Sequence, residues 1–164
     1  IISAPYRFER IIAYLDPWSD PLGSGFQGIQ SLFAITPGGL FGHGFNNSIQ
    51  KHFFLPEPQN DFIYAIIIEE FGLIGGFIVI ALYFIIIFRC FKISKNISNN
   101  YCKFLLIGLS LTLAIQVFIN IGVVIGLLPV TGITLPLFSY GGSSLLINYI
   151  SFGIILNSSK YENI

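Results

Sequence analysis

The sequence predicts an all-α integral membrane protein, built as a polytopic helix bundle. Of its 164 residues, 54% are hydrophobic and only 10% are charged, whereas soluble domains carry roughly 25% charged residues. Three apolar segments, at about 62–88, 104–128 and 135–156, each reach the roughly 20 residues that a membrane-spanning helix needs. Basic residues cluster between the first two segments, which is the asymmetry that orients a membrane protein.

The connection between the first two segments indicates the orientation of the chain. It reads RCFKISKNISNNYCK and contains no acidic residue. Its basic residues are Arg89, Lys92, Lys95 and Lys103. Because loops rich in Lys and Arg stay on the cytoplasmic side of the plasma membrane, we expect loop 89–103 to be cytoplasmic. The next connection, PVTGIT, is uncharged and is expected outside, so residues 1–61 are extracytoplasmic and the C-terminus is cytoplasmic.

Residues 1–61 precede the first span, and their sequence predicts a folded extracytoplasmic loop. This stretch mixes Pro and Gly turns with amphipathic pieces such as GFQGIQSLFAI, so short interfacial helices packed over the spans are expected. Residues 62–164 form the three-helix transmembrane part of the same single domain. The chain has no methionine, and its first residues lack the basic start and apolar core of a signal peptide. We therefore expect it to be part of a longer protein.

Several site classes are disfavoured by the residues themselves. The net charge is zero, and nothing in its distribution indicates a nucleic-acid partner. The glycine-rich stretch TPGGLFGHGFNNS lacks the GK[ST] ending of a nucleotide-binding loop. His43 and His52 do not have the spacing of metal ligands, and neither do Cys90 and Cys102, so no metal site is predicted.

Asp61 lies immediately before the first apolar segment, and two interpretations of it remain open. The position suits a helix cap, in which a side-chain oxygen accepts hydrogen bonds from backbone N–H groups. It also suits a general base at a membrane surface, because Glu57 and Lys51 lie in the same outer loop.

Glu69 and Glu70 lie inside the same apolar segment, about 12 to 14 Å beyond Asp61 at 1.5 Å per residue. A charged residue at the centre of a spanning helix costs about 2.5 to 3.5 kcal/mol on insertion scales. The two glutamates are therefore expected to face protein or water, in either a structural role or a polar path.

The second apolar segment carries one polar stripe. Thr112, Gln116 and Asn120 recur at four-residue intervals, so they share one helix face. Such side chains form hydrogen bonds between helices within a bilayer. The stripe indicates either helix association or the lining of a substrate path.

Four longer stretches together resemble one family, the SEDS membrane proteins (shape, elongation, division and sporulation). They are YRFERIIAYLDPWSDPLGSGFQGIQSL, GGLFGHGFNNSIQKHFFLPEPQNDFIYA, EEFGLIGG and GLLPVTGITLPLFSYGGSSLL. Within the family, PEPQNDF, DPLGSGFQ and PVTGITLP are most similar to the FtsW and SpoVE branch, which serves division septa and spore cortex, and less similar to the RodA branch. The resemblance implies a fold of ten transmembrane helices, of which this chain supplies the last three and the large loop before them.

The resemblance also implies an activity, the polymerisation of lipid II into peptidoglycan glycan strands. The family's catalytic aspartate stands in a PE-x3-DF[IV] segment, which corresponds here to Asp61, with Glu57 as a helper. Basic residues that could meet the pyrophosphate of the substrate are Lys51, Arg7 and Arg10. Ser48 and Gln50 precede Lys51 in the stretch NNSIQK, where Asn46 replaces a frequent glycine of the family's GxGxGxSxQK pattern, and complete the predicted substrate-binding set.

The implied partners are lipid II, the membrane and a transpeptidase of the class B penicillin-binding type. No cofactor is required by these residues, and the participation of a divalent cation is left open. Without the first seven helices of the family, the isolated chain is expected to be inactive. Two other functions stay open: a lipid II flippase with Glu69, Glu70, Gln116 and Asn120 along its path, and a non-catalytic scaffold of the division machinery.

Overall fold

The computed structural model describes residues 5–50 and 59–160, and their side chains from residue 9 onward. This part of the chain is helical and contains no β-strand, as the sequence predicts. Its α-helices are α1 (Pro5–Leu15), α2 (Phe26–Gly38), α3 (Ile63–Lys95), α4 (Asn100–Val124) and α5 (Gly142–Ser159), with a 3₁₀ turn at Pro17–Ser19 between the first two. Residues 49–50 are also helical and lead out of the described part.

The long helices α3 and α4 form the centre of the structure. Both are long and apolar enough to cross a membrane, and they pack around a core that includes Tyr83, Val117 and Val124. Their short connection, residues 96–99, is closed by Asn99, whose side-chain oxygen accepts a hydrogen bond from the backbone N–H of Tyr101 at 2.9 Å. That bond satisfies one of the orphan donors of the first turn of α4.

Helix α5 begins at Gly142, whereas the sequence predicts a helix from about Leu135. Pro136 has no N–H to donate to a helix, and Leu137 has a left-handed φ of 65°. The Ser139 hydroxyl instead accepts a hydrogen bond from the backbone N–H of Leu135 at 2.7 Å. The segment therefore forms a tight turn, and α5 keeps 18 residues, about 27 Å at 1.5 Å per residue. In the described residues only α3 and α4 meet the length and composition expected of a span.

Helices α1 and α2 lie against the end of the bundle where α4 terminates. The Tyr14 hydroxyl donates to the carbonyl of Leu127 at 2.9 Å, and the buried Ser31 hydroxyl donates to the carbonyl of Val124 at 2.8 Å. Each bond satisfies a backbone carbonyl at or after the last turn of α4. The end of the bundle that carries the start of α3 is thus covered by folded chain.

Helix α3 is interrupted at Gly72, which has φ 72° and ψ −174°. Residues 39–44 insert at this break and form backbone hydrogen bonds with both halves of the helix. The bonds are His43 N–H to Glu69 O (2.9 Å), Gly44 N–H to Glu70 O (2.9 Å), Leu73 N–H to Gly39 O (2.9 Å) and Ile74 N–H to Leu40 O (3.3 Å). The inserted loop thereby supplies partners for backbone groups that the interruption frees, which a membrane protein requires at this depth.

The junction depends on glycine at two positions. Gly42 and Gly72 both have positive φ, 75° and 72°, and a Cβ on either residue would overlap the backbone of the other segment. Beyond the junction, residues 71–88 contain no charged side chain and extend about 27 Å, close to the 30 Å of a bilayer core. Glu69 and Glu70 therefore lie at the border of the uncharged run, next to the inserted loop, and not at its centre.

Candidate active site

Asp61 lies one residue before Phe62, the N-cap position of α3. Its side chain is half-buried, while Phe62 is buried in the core. One carboxylate oxygen faces Gly132, where an added Cβ would lie 3.5 Å from Asp61 Oδ2. The loop 129–134 between α4 and α5 therefore forms one wall of the site, and a glycine keeps the space next to the carboxylate open.

The backbone of Asp61 is fixed by Asn120. The side-chain amide of Asn120 donates to the carbonyl of Asp61 at 2.9 Å and to the carbonyl of Ile133 at 2.7 Å. Asn120 is 1% exposed, so both bonds form away from bulk water, where an unmade bond is costly. One side chain thus joins the residue before α3 to the loop that faces it.

Two further hydrogen bonds fix the same region. The backbone N–H of Tyr140 donates to the carbonyl of Gln59 at 2.8 Å, and the side-chain amide of Gln116 donates to the carbonyl of Thr134 at 3.1 Å. The polar stripe predicted on the second span therefore binds the backbone of the α4–α5 loop through Gln116 and Asn120. Thr112 instead donates to the carbonyl of Gly108 in its own helix at 2.9 Å.

Glu69 holds the segment that leads from the α3 junction toward Asp61. Its side chain is fully buried, and its carboxylate accepts a hydrogen bond from the Ser48 hydroxyl at 2.5 Å. The other oxygen accepts from the backbone N–H groups of Ile49 at 2.8 Å and Gln50 at 3.2 Å. Three donors compensate the loss of hydration of the buried carboxylate, which gives Glu69 a structural role.

The structure changes the expectation for Ser48. The sequence places it in the substrate-binding set, but its side chain is only 1% exposed and its hydroxyl donates to Glu69. Because this hydroxyl is buried and already bonded to Glu69, Ser48 stabilises the conformation of the loop and does not face a substrate. Gln50 is half-buried, and its side-chain oxygen is buried without a hydrogen-bond partner in the described part of the chain.

Arg10 reaches the same loop from α1. Its guanidinium donates to the carbonyl of Val130 at 2.9 Å, and the residue lines a cleft of about 410 Å³ together with Glu9, Gln27 and Val130. Val130 lies two residues before Gly132, the glycine next to the Asp61 carboxylate, in one short loop. Arg10 and Asp61 therefore meet the same loop, whereas the side chain of Arg7 lies outside the described residues.

Lys51 and Glu57 fall within residues 51–58, which lie outside the described part of the chain. The residues on either side of this segment are held by the contacts above, Glu69 on residues 48–50 and Tyr140 and Asn120 on residues 59–61. The described residues that flank this segment are thus attached to α3 on one side and to α4 and the α4–α5 loop on the other.

Neither metal ligation nor helix capping is favoured for the acidic residues. In the ranges 5–50 and 59–160, no group of three or more His, Cys, Asp or Glu side chains is close enough to hold a metal ion. A carboxylate at a partly exposed position on fixed backbone can accept a proton from a bound hydroxyl. Capping is less suited to Asp61, because Phe62 occupies the N-cap position.

Sequence reasoning did not foresee that Asn120 holds Asp61, nor that Glu69 holds residues 48–50. The spacing of Gln116 and Asn120 indicated a shared helix face, but it did not indicate which backbone carbonyls their amides would bond. Both partners come from segments far away in the chain, so no local pattern encodes them.

The fold and the site together define a polytopic helical membrane protein with an acidic residue at the mouth of its central helix. Residues 1–164 match the FtsW, RodA and SpoVE family, described as "Cell cycle protein". The chain belongs to this family, which is the SEDS family indicated by its motifs. The predicted FtsW and SpoVE branch is also confirmed, since the similar proteins described next are a SpoVE and an FtsW protein.

Stage V sporulation protein E of Bacillus subtilis (strain 168) is 55% identical over 162 residues, which cover 99% of this chain and 44% of that protein. A protein of Coxiella burnetii named "Probable peptidoglycan glycosyltransferase FtsW" is 48% identical over 158 residues, covering 94% of this chain and 42% of its own length. The chain thus spans less than half the length of these relatives.

A solved structure supports the same fold. It is described as showing "structural coordination of polymerization and crosslinking by a peptidoglycan synthase complex". The alignment has a TM-score of 0.74 at 37% identity and covers 98% of this chain and 43% of the matched chain. At this similarity the helical arrangement described above is that of the family, and the chain is a membrane protein.

Proposed function

We propose that this chain carries the catalytic residue of a peptidoglycan glycosyltransferase, which polymerises lipid II into glycan strands for division septa or spore cortex. The observation that carries the proposal is the setting of Asp61: a half-buried carboxylate on backbone fixed by Asn120, facing Gly132 at the mouth of the longest apolar helix. Names of the FtsW relatives support the enzyme class.

In the proposed reaction, Asp61 acts as the general base. A hydroxyl oxygen of the acceptor sugar attacks the anomeric carbon of the lipid-linked glycan, while its proton passes to the Asp61 carboxylate. The bond from the anomeric carbon to the pyrophosphate oxygen breaks, and undecaprenyl pyrophosphate leaves with the electron pair. A base fixed at the membrane border suits a substrate whose tail lies in the bilayer and whose sugar lies outside it.

Basic residues around the site are proposed to meet the pyrophosphate. Arg10 lies at the loop that faces Asp61 and lines the adjacent cleft, so its positive charge would attract an anion that enters there. Lys51, Arg7 and Glu57 keep the roles that the family resemblance implies. Gln50 stays in the substrate-binding set, whereas Ser48 is reassigned to holding the loop through Glu69.

The flippase alternative is less well supported by the contacts. Three of the four residues assigned to its path are occupied by the fold: Glu69 binds residues 48–50, Gln116 binds Thr134, and Asn120 binds Asp61 and Ile133. Side chains committed to backbone groups do not line an open polar path. The topology with residues 1–61 outside, and the transpeptidase partner, remain parts of the proposal.

The test uses a chimera in which this chain replaces the matching 162 residues of stage V sporulation protein E from Bacillus subtilis. Asp61→Asn in the chimera is expected to abolish polymerisation of purified lipid II, because the amide cannot accept the proton. Asp16→Asn, at an exposed position, is the matched control and should polymerise like the parent chimera.

A reconstituted flipping assay on the same proteins separates the alternatives. Glycan strands of normal length and yield from the Asp61→Asn chimera, with normal amounts of folded protein, would contradict the assignment. Complementation of a null strain by that variant would favour the scaffold, and loss of lipid II flipping without loss of polymerisation would favour the transporter.

A further inference from the structure

We infer that Asn120 is a positioning residue for the proposed reaction, setting the distance between Asp61 and the loop that faces it. The inference rests on the proposed function, because it assigns to Asn120 a part in the work of Asp61. Its structural basis is independent: one buried amide donates at the same time to Asp61 and to Ile133.

Asparagine suits this position because of its donor geometry. The NH₂ group offers two hydrogens on one planar nitrogen, and here they go to two carbonyls from segments that are remote in sequence, at 2.9 and 2.7 Å. Both acceptors are carbonyl oxygens, so the amide has only one orientation that bonds them. With the side chain 1% exposed, water is a poor replacement for either bond.

The two bonds fix both sides of the proposed catalytic space. One holds the backbone of Asp61 itself, and the other holds Ile133, the neighbour of Gly132, which lies opposite the carboxylate. Removal of the amide would break the direct link between Asp61 and Ile133 and leave the two segments joined by the bond from Tyr140 to Gln59, two residues from Asp61. Because a misplacement of about 1 Å can cost about 100-fold in rate, the main effect is expected in kcat.

Gln116 offers a matched control on the same helix face, one turn earlier. Its amide also donates to the α4–α5 loop, at the carbonyl of Thr134 (3.1 Å). It therefore ties the same loop to the same helix without touching Asp61. A general loosening of the loop would affect the variants at Gln116 and Asn120 alike, whereas of these two amides only that of Asn120 bonds Asp61.

The experiment compares kcat and KM for lipid II in the chimera with Asn120→Ala and Gln116→Ala. Asn120→Ala is expected to lower kcat by about 100-fold with KM changed by less than about threefold, since a misplaced base slows the reaction after binding. Gln116→Ala should stay within about threefold of the parent in both constants. The thermal midpoint should fall further for Asn120→Ala, which loses two buried hydrogen bonds, than for Gln116→Ala, which loses one at a half-buried position.

Asn120→Ser, which keeps one donor on a shorter side chain, covers the case in which Asn120→Ala fails to fold. It should give a kcat between those of the parent and the inactive Asp61→Asn protein. A loss in the Asn120 variants that matches Gln116→Ala, or that falls on KM alone, would overturn the inference. Full activity of Asp61→Asn would instead overturn the proposed function, so the two failures are distinct.

Discussion

The buried carboxylate of Glu69 accepts a hydrogen bond from the Ser48 hydroxyl at 2.5 Å, and this contact joins the loop before α3 to α3. Two backbone N–H groups, from Ile49 and Gln50, bind the other oxygen. A charge that would be costly inside an apolar helix is thus used to anchor the segment that leads to Asp61. Glu69 is best described as a structural residue that serves the site.

A double-mutant cycle measures this anchor. Ser48→Ala should lower the free energy of unfolding by about 1.5 to 3 kcal/mol, the usual range for a hydrogen bond to a charged group. Glu69→Gln should lower the free energy of unfolding further, because its NH₂ group would replace an accepting oxygen and face the N–H or O–H donors that now bond to Glu69. The two effects should be non-additive, with a coupling of about 1 to 3 kcal/mol, measured by denaturant unfolding in detergent.

Ser110→Ala is the control for the cycle. Ser110 is also fully buried, but its partners are uncharged: its hydroxyl donates to the carbonyl of Leu106 at 2.7 Å and is hydrogen-bonded with the Cys90 thiol. Neither partner touches Glu69, and bonds between neutral groups are weaker than bonds to a charge. Its effect should be smaller than that of Ser48→Ala and additive with Glu69→Gln. Simple additivity of Ser48→Ala and Glu69→Gln would show that the hydrogen bond between these two residues does not contribute to stability.

The glycine junction gives a second prediction. Gly72→Ala and Gly42→Ala each place a Cβ on a residue with positive φ and against the opposing backbone. Left-handed backbone in a non-glycine residue costs about 1 to 3 kcal/mol, and the steric overlap adds to it. Both variants should therefore unfold at clearly lower temperature than the parent, and polymerisation should fall with the loss of folded protein.

Gly108→Ala is the matched change at a glycine with open space around it. Nothing lies within 4 Å of the position that its Cβ would occupy, and alanine is favoured over glycine in a helix by about 1 kcal/mol. This variant should be as stable as the parent or slightly more stable. Equal tolerance of alanine at Gly72 and Gly108 would contradict the described junction.

The proposed topology predicts a labelling pattern. Single cysteines are introduced by His43→Cys and Ser98→Cys, both at exposed positions, after replacement of Cys90 and Cys102. A membrane-impermeant thiol reagent should label His43→Cys in intact cells and Ser98→Cys only after permeabilisation, because the basic connection around 89–103 stays inside. The reverse pattern would invert the topology and remove Asp61 from the outer surface.

Much of the fold follows from the sequence. The apolar segments predicted the existence of α3 and α4, since long uninterrupted hydrophobicity leaves a chain few alternatives to a spanning helix. Their bounds were less accurate, because α3 continues seven residues past the predicted end at 88, and α4 begins and ends four residues before the predicted 104–128. The prediction for the third segment was less accurate, because hydropathy does not register the turn made by Pro136 and Leu137. The helix break at Gly72 was also missed, since it exists only where a second segment supplies its hydrogen bonds.

For the candidate site, the sequence by itself determined the family, and it indicated Asp61 and the basic residues before it as candidates. These features depend on residue type and spacing, which can be read directly from the amino-acid sequence. Only the tertiary structure decided that the Asn120 amide bonds the Asp61 carbonyl and that the Ser48 hydroxyl bonds the Glu69 carboxylate. Buried polar groups must find partners, and which groups meet depends on how distant segments pack.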